Sequence, residues 1–77
     1  MKVIYDPDKD ILQLSFTQRS IEETTQIAPG LVLDYDEDGR VIGLELRQAS
    51  KKVDNPREMV YLLGSANTDK PVAKAKE

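Results

Sequence analysis

The sequence predicts an α+β domain: a small antiparallel sheet of about five strands arranged as a meander of hairpins, then one short C-terminal helix and a disordered tail. Three observations carry this. Apolar residues recur at every second position through much of residues 1–46, which is the period of half-buried strands. Turn chemistry interrupts that alternation at Asp6-Pro7-Asp8-Lys9-Asp10, Ala28-Pro29-Gly30 and Asp38-Gly39. After Asn55-Pro56 the apolar spacing becomes that of a helix.

Val3 and Tyr5, then Leu12, Leu14 and Phe16, alternate with polar residues on either side of the first turn, so they read as a hairpin. Ile21, Glu23, Thr25 and Ile27 alternate with Glu22, Thr24 and Gln26, and β-branched side chains dominate this third strand. Pro29-Gly30 ends it, because proline lacks a donor and Pro-Gly favours a turn. The next two strands, Leu31 to Tyr35 and Val41 to Leu46, flank Asp38-Gly39. A two-residue type I′ turn there sets Glu37 opposite Arg40, Tyr35 opposite Ile42, Leu33 opposite Leu44 and Leu31 opposite Leu46. That register gathers the large apolar residues on one face, and a slip by one would scatter them. Gly43, inside a strand, reads as a bulge or a close backbone approach.

Asn55-Pro56-Arg57-Glu58 offers an N-cap side chain, a proline at the first helical position and a glutamate three residues after the cap. Met59, Leu62, Leu63 and Ala66 follow at helical spacing and Gly64 supplies a stop, which places the helix at about 56–63. A single domain thus spans 1–66, and the Lys/Ala-rich tail 67–77 buries nothing.

Seventy-seven residues hold one domain with a marginal core. Small domains usually add disulfides, a metal or a partner. With Cys 0 and His 0, disulfides and soft-ligand zinc sites are excluded, leaving oligomerisation or a protein partner. The apolar start Val3 to Tyr5 is too short for a signal-peptide core and no apolar run reaches membrane-span length, so a cytoplasmic protein is expected. The net charge of −3 divides into an acidic body, with four basic and ten acidic side chains in residues 1–46, and a basic C-terminal third, with seven basic and four acidic.

Asp34-x-Asp36-x-Asp38-Gly39, with Glu45 at the twelfth position, satisfies the pattern of a calcium-binding loop. Such a loop sits between two helices, whereas strands flank this one, so at most a weak cation site at Asp34, Asp36 and Asp38 is expected. No histidine is available to activate Ser15, Ser20, Ser50 or Ser65, exposed turn carboxylates lack the dry cleft that acid-base chemistry needs, and no glycine-rich phosphate loop is present. The expectation is a protein that is not an enzyme and uses no cofactor. Arg47, Lys51, Lys52 and Arg57 are interrupted by Asp54 and Glu58 and carry no interleaved aromatics, which disfavours nucleic acid and favours a solvated edge.

One short helix cannot cover a sheet of this width, so Leu12, Leu14, Phe16, Leu33, Leu44 and Leu46, with Met59, Leu62 and Leu63 on the helix, are the candidate interface of a homodimer or of a complex with a small protein. Tyr5, Tyr35 and Tyr61 suit half-buried positions on that surface or its rim.

The run from Tyr5-Asp6-Pro7-Asp8-Lys9-Asp10-Ile11-Leu12 through Ile27-Ala28-Pro29-Gly30 and Leu31 to Glu45, closing on Ala49-Ser50, resembles the prokaryotic family catalogued as domain of unknown function 2283, over about residues 2–50. The resemblance implies a small bacterial or archaeal protein, mostly β, with no assigned activity and no catalytic or ligand residues to carry over. Some members of that family look like antitoxin-side partners of small toxins. The expected function is therefore a non-catalytic interaction module, in its most concrete form an antitoxin-like partner of a small basic toxin, with Asp34, Asp36, Glu37 and Asp38 steering binding. The alternatives are a self-contained homodimeric structural domain or a weak cation-binding module.

Overall fold

Alternating apolar and polar residues, broken by three turns, fold into five strands in the computed structural model, which describes residues 1–64. They are β1 (Lys2–Asp6), β2 (Ile11–Ser15), β3 (Glu23–Ala28), β4 (Leu31–Tyr35) and β5 (Val41–Arg47), followed by a 3₁₀ turn at Ala49–Lys51. All pair antiparallel in one sheet of order β1-β2-β5-β4-β3.

That order corrects the expected meander. The β1–β2, β3–β4 and β4–β5 pairs are hairpins, but β2 pairs with β5, and the chain between β2 and β3 crosses to the far edge in a Greek-key arrangement. Leucine content explains the choice. Placing β5 beside β2 sets Leu12 opposite Leu46 and Leu14 opposite Leu44, and β4 then sets Leu31 opposite Leu46 and Leu33 opposite Leu44. The polar β3, with Glu23, Thr24 and Gln26 exposed, takes an edge that needs only one partner. Three contacts pin the crossing: Phe16 N donates to Ile42 O at 2.8 Å, Glu22 N donates to Tyr35 O at 2.8 Å, and Arg19 Nη1 lies 3.6 Å from Asp36 Oδ2. Ile21, expected to begin the third strand, precedes it and is 57 % exposed.

The β4–β5 connection also departs from a two-residue turn. Asp36 N donates to Arg40 O and Gly39 N to Asp36 O, each at 3.0 Å, closing a three-residue loop with Gly39 at φ +80. The cause is the Asp36 carboxylate, whose Oδ1 accepts both Asp38 N and Arg40 N at 2.9 Å. Tyr35 therefore faces Val41 rather than Ile42, and the register recovers through a bulge, so that Leu33 and Leu31 meet Leu44 and Leu46 as expected. Gly43 sits beside that bulge, and a Cβ there would fall 2.8 Å from Leu14 O on β2.

The expected helix at 56–63 does not form. Asn55 does begin a turn, accepting Arg57 N on Oδ1 at 3.0 Å and Glu58 N on its carbonyl at 3.1 Å, but no helix propagates from it. A helix of two turns is marginal without tertiary packing, Val60 and Tyr61 are poor helix formers, and the intended inner face of Met59, Leu62 and Leu63 is 54, 83 and 89 % exposed. The fold is thus a sheet with a 3₁₀ turn and an irregular C-terminal segment. The tail expected at 67–77 lies outside the described residues.

Among the described residues only Val32, Ile42 and Ala49 are buried apolar residues, and no large side chain is fully buried. Leu12, Leu14, Leu33, Leu44 and Leu46 are half-buried. No helix among the described residues is long and apolar enough to cross a membrane.

Candidate functional site

The densest polar cluster ties the β1–β2 turn to the chain that leaves the neighbouring β5. Asp10 closes the β1–β2 turn at φ 56, a left-handed conformation that aspartate tolerates. Its Oδ1 accepts Tyr5 Oη at 2.7 Å and Ser50 N at 2.9 Å, its Oδ2 accepts Ser50 Oγ at 2.7 Å, and its carbonyl accepts Ala49 N at 3.0 Å. The Ser50 hydroxyl, then the Tyr5 hydroxyl, hold the Asp10 carboxyl below its ordinary value, while the bond to Asp10 raises the Tyr5 phenol. Serine, aspartate and tyrosine in contact resemble catalytic machinery, but a carboxylate saturated by donors and lowered in pKa is a poor general base. The cluster is a clasp: it fastens the first hairpin to the chain leaving β5.

Lys52 fastens the opposite corner. Its Nζ donates to Arg47 O at 2.9 Å and to Pro29 O at 3.2 Å, closing the β3–β4 turn over Gly30, where φ is +76 and an added Cβ would collide with that ammonium. Arg47 Nε donates to Glu45 Oε2 at 2.7 Å, and Arg57 lies 5.9 Å from the centroid of the Tyr5 ring. Arg47, Lys52 and Arg57, three of the four basic residues considered for phosphate, thus each have a contact within the chain.

The candidate cation residues do not converge. Asp34 Oδ1 accepts Thr24 Oγ1 at 2.9 Å, Asp36 is turned into its loop, and Asp38 lies 3.7 Å from Arg40. Among the described residues no three acidic side chains group as metal ligands. Backbone donors from Arg40 and Asp38 outweigh desolvation and lower the Asp36 carboxyl, with Arg40 and Arg19 adding charge. Asp36 Oδ2 accepts no hydrogen bond, and the Arg19 guanidinium lies 3.6 Å from it.

The candidate interface divides in two. Leu12, Leu14, Leu33, Leu44 and Leu46 do share rows of one sheet face, and Phe16, just past β2, is 39 % exposed. Val3, Tyr5, Leu12 and Leu14 floor an open groove of about 420 Å³, walled by the segment from Val53 to Met59. Met59, Leu62 and Leu63 do not lie on a helix beside it. With Val60 and Tyr61 they form an unbroken apolar run, 54, 70, 75, 83 and 89 % exposed from Met59 to Leu63. Sequence reasoning missed the clasp of Tyr5, Asp10 and Ser50, the strut of Lys52 and the exposed Ile4 on the β1 edge. Only the Asp10 clasp had any signal, a turn aspartate and an Ala-Ser pair inside the recognised run.

Residues 2–50 match the family described as Protein of unknown function (DUF2283). No curated protein and no solved structure matches the chain.

Proposed function

We propose that this chain, which belongs to the DUF2283 family of unknown function, is a non-catalytic protein-interaction module. The observation that carries the reading is the run Met59 to Leu63, five consecutive apolar residues more than half exposed, beside a sheet with no fully buried large side chain. Contiguous exposed apolar surface of this kind marks interaction sites, and a chain this small needs additional burial to be stable. The state of the carboxylates adds support, since Asp10 and Asp36 are held ionised by donors rather than poised near neutrality. The acidic body, with Glu37 and Asp38 exposed at the β4–β5 loop, favours a basic partner and would steer its approach.

The test is co-purification of the tagged chain at native level in its source cell, beside the double variant Leu62→Ser/Leu63→Ser. A stoichiometric partner, either a second copy or a small basic protein, that is lost in the variant is expected. A small basic protein would give the reading its antitoxin-like form. Wild type that purifies alone as a monomer refutes it.

A further inference from the structure

Resting on that reading, we infer that the open edge of β1 pairs with β1 of a second copy of this chain, antiparallel about a two-fold axis at Ile4. The sheet has two edges, β1 and β3. β3 is blunted by the bulge between Gln26 and Ala28 and by Pro29 after it, devices that discourage strand addition. A proline follows each edge strand, Pro7 after β1 as Pro29 after β3, but β1 has no bulge: Lys2-Val3-Ile4-Tyr5-Asp6 pairs with β2 residue for residue, without a shift, and presents Ile4 at 48 % exposure.

The strand is complementary to itself. Reversed about Ile4, it sets Lys2 opposite Asp6 of the second copy, and Asp6 opposite Lys2, so two opposite-charge pairs form across the seam. Ile4 meets Ile4, and Val3 meets Tyr5 on the other face. Sliding by one residue sets the two sheets with opposite faces together, and sliding by two sets Lys2 or Asp6 against Ile4. Only the register at Ile4 matches both charge and apolarity. The axis also brings together the two grooves floored by Val3, Tyr5, Leu12 and Leu14, and the exposed run that follows Met59 starts at the groove wall beside Val3.

The chain has no cysteine, so Ile4→Cys creates a single thiol at the axis. Residues directly opposite in antiparallel strands hold Cβ atoms about 4.5–5.5 Å apart, near enough for a disulfide with small adjustment. The expected result is a covalent dimer of Ile4→Cys under mild oxidation, with Gln26→Cys on the β3 edge remaining monomeric on a non-reducing gel. Lys2→Asp and Asp6→Lys should each run as monomers by light scattering, and an equimolar mixture of the two should restore the dimer mass, since each chain then repairs the other. Asp6 Oδ1 also accepts Asp8 N at 3.0 Å and Lys9 N at 3.2 Å, so its replacement can unfold the turn. Ile4→Arg avoids that turn and sets like charges across the axis; it should be folded by circular dichroism and a monomer by light scattering. A dimer that survives Ile4→Arg, or that cross-links through Gln26→Cys, overturns the β1 pairing while leaving the interaction module standing. Monomeric wild type at the highest soluble concentration overturns the pairing as well, and the module reading then depends on the captured partner.

Discussion

Gly43→Ala is the sharpest test of the β2–β5 pairing, because its sign depends on which of two effects is larger. At an ordinary strand position, alanine for glycine restricts the unfolded chain and stabilises by about 0.4–1 kcal/mol. At Gly43 the new methyl would lie 2.8 Å from Leu14 O, and Asp34 Oδ2 stands 3.3 Å away on the other side. The carbonyl is backbone and the aspartate is held by Thr24, so neither yields as a flexible side-chain tip would. Overpacking of this kind costs about 1–3 kcal/mol. The net expectation is a loss of about 1–2 kcal/mol, which for a domain of this size lowers the thermal midpoint by about 5–15 °C. Thermal and urea unfolding of wild type and variant, followed by far-ultraviolet circular dichroism, measure it. Gly64→Ala is the control, since no atom lies within 4 Å of its added Cβ. An unchanged or raised midpoint for Gly43→Ala would mean that β2 and β5 do not approach this closely, and the Greek-key order would lose its main support.

Further expectations follow from the clasp and the strut. Ser50→Ala and Asp10→Asn should both lower the urea midpoint at neutral pH, because the first removes the hydroxyl bond to Asp10 and the second removes the charge that strengthens the side-chain bonds of the clasp. Asp10 and Asp36 have folded pKa values below the ordinary carboxylate value of about 3.9, so their contribution is present above that value and is lost as pH falls through the lower folded values. Asp10→Asn should therefore flatten the acid limb of a stability-against-pH curve relative to wild type. The same substitution should move one tyrosine in a spectrophotometric titration downward toward its ordinary range, since the bond to Asp10 is the main cause of the raised Tyr5 phenol. Lys52→Met should cost about 1 kcal/mol in chemical unfolding by removing the donor shared by Pro29 O and Arg47 O.

What was legible in the sequence was local. Period-two alternation and turn residues located every strand, because both are properties of a few neighbouring side chains. The pairing of Leu33 with Leu44 followed from the same pattern, whereas the loop beside it did not, since Asp36 converts a two-residue turn into a longer one through its own carboxylate. Strand order was out of reach: the choice between β3 and β5 as neighbour of β2 is decided by contacts about thirty residues apart, and no local signal encodes it. The helix failed for a related reason. Its cap residues are present and Asn55 makes a cap-like bond, yet capping lowers the cost of a helix that packing must already favour, and Met59, Leu62 and Leu63 find nothing to pack on. The clasp was equally hidden, because Asp10 and Ser50 are forty residues apart.

The position of the clasp bears on where function resides. The residues that match the family span 2–50, and the structure gives several of them architectural tasks. Asp10 and Ser50 join the first hairpin to the chain leaving β5, Gly30 makes room at a turn that Lys52 then covers, and Asp36 builds a loop and anchors the crossing strand connection through Arg19. The Asp10 carboxylate is engaged by three donors within the chain, which is an architectural task. The surfaces that remain available are the β1 edge, the leucine rows beside it and the apolar run after Met59. The run lies beyond the residues 2–50 that match the family, so the burial it lacks has to come from outside the part of the chain that builds the sheet.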